Sequence, residues 1–139
     1  GVRVFYLTNR KAHLKEATRR NLQARGFPLE DTLDTLITRG EKPEWSARDK
    51  EPRRQAILDE HRVLLLVGDN LGDFLSIEGA DEPTRTELVA QHASWWGERW
   101  VVLPNPIYGS WETALPDFER ALPIEEALRI KRLDLRTHP

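Results

Sequence analysis

Apolar residues fall in short runs separated by longer polar or amphipathic stretches. The first run, VRVFYLT (residues 2–8), is β-branched and aromatic and meets the turn pair Asn9-Arg10, which predicts a strand through Leu7. In the next segment Leu14, Ala17, Leu22 and Ala24 form a rough helical stripe. Gly26 supplies a left-handed stop, Phe27 is placed to pack back on Leu22, and Pro28 blocks continuation. DTLITRG (34–40) has the composition of a short strand ended by glycine. Asp49 predicts an N-cap, with Lys50 at the first helical position, Pro52 inside the first turn, and a helix running on through Ala56, Ile57 and Leu58. RVLLLVGD (62–69) is a continuous apolar run of strand length, the pattern expected of a central parallel strand buried on both faces. Residues 84–97, entered near Pro83, predict a helix carrying Leu88, Val89 and Trp95-Trp96, and RWVVLP (99–104) another short strand. NPIYGSWE reads as a loop. In the last segment Leu128, Ile130, Leu133 and Leu135 alternate with Arg129, Lys131, Arg132 and Arg136, which predicts an amphipathic helix docking on the domain.

Strands alternating with helices predict an α/β fold with a parallel sheet flanked by helices. A chain of 139 residues fits one domain, 1–139, with 112–139 as a C-terminal helical segment docked on it. The formal net charge of −2 predicts no general affinity for nucleic acid or anionic membrane. With no cysteine, disulfides and thiolate metal sites are excluded. Methionine is also absent, and a chain that opens directly on a strand-like run is expected to be part of something longer.

In parallel α/β sheets ligands bind beyond the carboxyl ends of the strands. Thr8, Asn9, Asp69, Asp73 and the PNPIYG loop all fall at that edge, and Lys50 falls at a helix N-terminus, where backbone N–H groups favour an anion. Each has two readings. In GDNLGDF, Asp69 and Asp73 are like charges placed close together, which calls for a cation or a hydrogen-bond network between them. Alternatively, Asp69-Asn70 makes a turn and Asp73 caps the next element. Thr8 offers a hydroxyl to a phosphoryl group or caps the next helix; Lys50 offers a point charge or belongs to a solvated helix face. Tyr108 either stacks on a nucleobase or, with Trp111, pins its loop. Trp95, Trp96 and Trp100 are expected mainly in the core. His13, His61, His92 and His138 lack metal-ligand spacing and are expected at the surface.

The motifs VFYLTNR, KEPRRQAI, LLLVGDNLGDF and VVLPNPIYGSWE, in this order, resemble motifs two to four and the trailing loop of the haloacid dehalogenase superfamily. The resemblance is closest to the class C acid phosphatase and lipoprotein e(P4) 5′-nucleotidase branch. It implies a Rossmann-like fold and a Mg²⁺-dependent phosphomonoesterase acting through a phosphoaspartyl intermediate on a nucleoside 5′-monophosphate. It also implies a bacterial periplasmic or outer-membrane-anchored setting. By resemblance, Thr8 hydrogen-bonds the transferring phosphoryl group, Asn9 supports the same loop, and Lys50 neutralises charge on nucleophile and phosphoryl oxygens. Asp69 binds Mg²⁺ and Asp73 completes or orients its shell.

The chain departs from the family at one point. The nucleophile and the general acid/base are two aspartates of a D-x-D motif on the first, central strand, and no such motif precedes VFYLTNR. DTLDT (31–35) mimics it but lacks a preceding apolar strand, so Asp31 and Asp34 are rejected as nucleophiles. The expectation is a sheet lacking its central strand, which is completed by an N-terminal segment or a second chain or else rearranged, and a chain inactive alone. Two rival readings stand beside it: a non-catalytic module binding Mg²⁺ and a phosphorylated ligand, and a truncation fragment forming a homodimer by strand exchange.

Overall fold

The computed structural model describes residues 1–105, 107–115 and 121–137, the last four of these by backbone alone. The chain divides into two compact units, Gly1–Arg62 and Val63–Pro139. Unit one contains β1 (Tyr6–Lys11), α1 (Lys15–Ala24), β2 (Leu36–Arg39) and α2 (Glu51–Leu58). Unit two contains β3 (Leu66–Gly68), α3 (Glu82–Gln91), β4 (Trp100–Val102) and α4 (Ile124–Thr137). The fold is α/β with parallel strands and flanking helices: β1 runs parallel to β2 and β3 parallel to β4, as two ladders.

In unit one, β1 starts later than the apolar run and continues through Asn9-Arg10, where a turn was expected. α1 ends as predicted at Gly26, whose φ is +75°. The Phe27 N–H donates to Leu22 O at 3.0 Å, and the Phe27 ring sits edge-on to Tyr6, centroids 6.0 Å apart. The apolar stripe does not define the buried face of α1. Thr18 is its buried residue, whereas Leu14 and Ala17 are exposed. The Thr18 hydroxyl donates to Leu14 O and accepts from Arg10, so its polarity is satisfied on the inside. Leu36, Ile37, Trp45 and Ile57 form the apolar core, joined by the fully buried Thr35, Thr38 and Arg53.

In unit two, Phe74, Ile77, Trp100 and Ile130 are buried. Trp100 is the hub, with Phe74, His92, Trp95 and Trp96 rings all within 5.6 Å of it by centroid. His92 therefore departs from the surface expectation in part: it is half-buried and stacked on Trp100, and in unit one the half-buried His61 lies 5.0 Å from the Phe5 ring. Trp95 departs the other way, being exposed beside Arg99. The helix predicted over 84–97 stops at Gln91, and Trp95 closes a separate short 3₁₀ turn. The expectation that 62–69 is buried on both faces also fails. Leu64, Leu65 and Val67 are 54%, 51% and 54% exposed, because β3 has one ladder partner, β4, among the described residues. α4 packs through Ile130, and Lys131 pairs with Glu112 and lies over the Trp111 ring.

Candidate active site

In unit one the site residues depend on an irregularity in β1. Between the pairs Leu7↔Ile37 and Lys11↔Arg39, β1 advances four residues against two of β2, so Thr8, Asn9 and Arg10 buckle out of the ladder. The Thr8 hydroxyl accepts from the Arg10 N–H at 3.2 Å, which leaves its own O–H to donate. The buckled carbonyl of Thr8 accepts from Arg53 Nη1 at 2.8 Å, and Asn9 Oδ1 accepts from Arg53 Nη2 at 2.7 Å. The same Nη2 reaches Asp49 O at 3.0 Å and Arg48 O at 3.2 Å. One buried guanidinium thus ties the Thr8–Asn9 bulge to the start of α2. Burial, followed by the neighbouring Arg39 charge, lowers the Arg53 pKa from its ordinary value.

Lys50 is the capping residue of α2, and its carbonyl accepts from the N–H groups of Arg53 at 3.1 Å and Arg54 at 2.9 Å. Asp49, expected as the cap, sits one residue earlier but still accepts from Glu51 N at 2.9 Å. Thr8, Asn9 and Lys50 are therefore brought together within unit one. Asp34 stands apart from them, accepting from Lys15 and, at 2.8 Å, from Arg19. Desolvation works to raise its pKa, but the Lys15 and Arg19 contacts prevail and hold it below the ordinary range. A carboxylate so engaged ties α1 to the segment just before β2.

In unit two, β3 ends at Gly68, and the turn after it is a reciprocal cap. Asp73 Oδ2 accepts from Asp69 N at 3.0 Å and Asn70 N at 3.1 Å, while Asn70 Oδ1 accepts from Gly72 N at 3.0 Å. Asp73 packs so tightly that a Cβ on residue 68 would lie 2.5 Å from its Cβ. The trailing loop is tied to this turn twice. Asn105 Nδ2 donates to Asp69 Oδ2 at 2.8 Å, and the Ser110 hydroxyl donates to Asn70 Oδ1 at 2.6 Å. Tyr108 is 66% exposed on that loop. Beside the turn lies a cleft of about 440 Å³, lined by Asp69, Asn70, Arg85, Val89, Val102 and Trp111 among others. Arg85 braces it by donating to Ala80 O at 2.8 Å and Ser110 O at 2.6 Å.

No group of three or more His, Cys, Asp or Glu assembles a metal cage among the described residues. The donor set nevertheless suits Mg²⁺, which takes one or two carboxylates and fills its octahedron with water and substrate oxygens. Asp69 is an exposed hard-oxygen donor at the end of a strand, and Asp73 fixes the turn that carries it.

Sequence reasoning missed Arg53, Arg85, Asn105 and Ser110. Arg53 had a signal, since it follows Lys50 by one helical turn in KEPRR. Asn105 had a weaker one, a polar residue between two prolines in LPNP.

Residues 1–111 match the family described as haloacid dehalogenase superfamily, subfamily IIIB (acid phosphatase). Among solved structures, the class C acid phosphatase from Bacillus anthracis is 31% identical, with a TM-score of 0.79 over 96% of this chain. The same enzyme with tungstate bound gives the same values. The chain spans 54% of that enzyme's length, about half. The motif order, the parallel α/β units and a family match over most of the residues agree: this chain belongs to the subfamily IIIB acid phosphatases of the haloacid dehalogenase superfamily.

Proposed function

We propose that this chain is the motif-two-to-four portion of a Mg²⁺-dependent phosphomonoesterase, with the nucleophilic aspartate on a segment outside these 139 residues. The observation that carries the reading is the turn after β3, where Asp73 is spent on backbone amides and Asp69 is presented at the strand end. A phosphoryl group in flight needs positioning and neutralisation of the charge on its oxygens. The Thr8 O–H donates to a phosphoryl oxygen, Asn9 holds the bulge through Arg53, and Lys50 neutralises charge on the nucleophile and phosphoryl oxygens. When bound at Asp69, Mg²⁺ supplies further neutralisation of the phosphoryl oxygens. The carboxylate of the aspartate on that segment attacks phosphorus, the ester P–O bond breaks, and the leaving alkoxide takes its proton from the second aspartate of D-x-D. Water, giving its proton back to that second aspartate, then attacks the phosphorus of the acyl phosphate, releasing inorganic phosphate and the free carboxylate.

The substrate is a phosphate monoester, with Tyr108 stacking on the base of a nucleoside 5′-monophosphate. The exposure of that ring on a loop anchored to the metal turn supports this role. That the relative binds tungstate, a phosphate analogue, is consistent with an oxyanion subsite. The setting we propose is the bacterial periplasm or the outer membrane. A second reading is a module that binds Mg²⁺ and a phosphorylated ligand without turnover. Inorganic phosphate release from a 5′-mononucleotide decides between them, measured with Mg²⁺ and with EDTA, with and without the D-x-D segment supplied. The expected result is Mg²⁺-dependent release only when the segment is present, lost in Asp69→Asn. Nucleotide binding without release in either sample establishes the binding module.

A further inference from the structure

Asn105 donates its side-chain N–H to Asp69 Oδ2 at 2.8 Å. The orientation of the amide is set by its other end, because Asn105 Oδ1 accepts from Ile107 N at 3.2 Å. The donor therefore faces the aspartate. Its backbone is held in place as well: Leu103 N donates to Gly68 O at 2.8 Å, and Pro104 fixes the chain just before it. A positive N–H dipole aimed at Oδ2 repels a cation from that oxygen. Coordination is thereby directed to Oδ1.

Resting on the Mg²⁺ reading above, we propose that Asn105 is a specificity-determining residue that confines Asp69 to one-oxygen coordination and so favours Mg²⁺ over Ca²⁺. Mg²⁺ demands a small octahedron and accepts carboxylates through single oxygens, whereas Ca²⁺ takes six to eight oxygens and gains from carboxylates that offer two. Asp73 holds the turn that carries Asp69, its Oδ2 accepting two backbone N–H groups. Removing the Asn105 amide frees Oδ2 and widens the site for the larger ion.

The test is a ¹H–¹⁵N NMR titration of the ¹⁵N-labelled chain with the D-x-D segment supplied, using MgCl₂ and, separately, CaCl₂, and tracking the amides of residues 68–73. In the wild type Mg²⁺ binds more tightly than Ca²⁺. In Asn105→Ala the loss of an outer-sphere partner lowers Mg²⁺ affinity by about tenfold while Ca²⁺ affinity holds or rises. Asn105→Asp is nearly isosteric, guards against a folding defect in the alanine variant, and adds an oxygen that favours Ca²⁺ further. A Mg²⁺/Ca²⁺ ratio within about twofold of wild type in the folded variants overturns the inference alone, because a merely structural role weakens both ions together. No response of those amides to Mg²⁺ in the wild type overturns the metal reading beneath it, and the inference with it.

Discussion

A guanidinium without solvent exposure costs desolvation that its hydrogen bonds must offset, and Arg53 offsets it with four acceptors from two segments. Replacing it by methionine keeps the bulk but strands the Thr8 carbonyl and the Asn9 amide oxygen. We expect Arg53→Met to lower unfolding free energy by about 3 kcal/mol, read from urea denaturation. Arg53→Lys restores the charge without the planar fork and recovers only part of the loss. An unchanged urea midpoint in Arg53→Met contradicts this account. At this scale the sequence was informative about which chemical groups to expect and poor about what supports them. Thr8, Lys50, Asp69 and Asp73 announce themselves by motif. Arg53 and Asn105 act through contacts 44 and 36 residues away, which local pattern does not encode.

Elements with a covalent or steric stop were the most legible. α1 ends where Gly26 and Pro28 require it, and β2 lies where DTLITRG placed it. Elements defined by burial were less so, since burial depends on neighbours: the apolar run 62–69 yields only a three-residue ladder. The contact between α1 and the β2 region is ionic. Lys15 pairs with both Asp34 and Glu41, and Glu41 also accepts the Thr38 hydroxyl at 2.7 Å. Desolvation opposes ionisation at all three groups. The ion pairs and hydrogen bonds nonetheless hold the Asp34 and Glu41 pKa values down and the Lys15 pKa up. The carboxylates therefore add stability above their unfolded pKa values, near 4, and that share is lost as pH falls through the lower folded values. The Lys15 share is present below about pH 10 and is lost as pH rises through its raised value. The urea midpoint should thus fall on acidification below about pH 5, with a shallower fall in Asp34→Asn. Asp34 is half exposed, so its part of the slope is modest. Identical acid limbs in the two proteins remove the ionic contact from the account.

Across the whole chain, the alternation of strands and helices was legible, and with it the parallel α/β class. Which strands share a ladder was not, because periodicity records the faces of a strand and carries nothing about its edges. Unit two leaves Leu64, Leu65, Val67, Val102 and Leu103 each about half exposed on or beside β3 and β4. Apolar strands with open edges recruit further strands. Light scattering of the isolated 139-residue chain should therefore give a mass above 16.1 kDa that rises with concentration. Val67→Lys, on an exposed position, should reduce it without lowering the melting temperature. A concentration-independent monomer mass excludes strand exchange. The closeness of Gly68 to Asp73 bears on how such a chain changes over generations. A side chain at 68 evicts the carboxylate at 73, so alterations at the two positions are epistatic, and lineages that abandon one of them are expected to abandon the other.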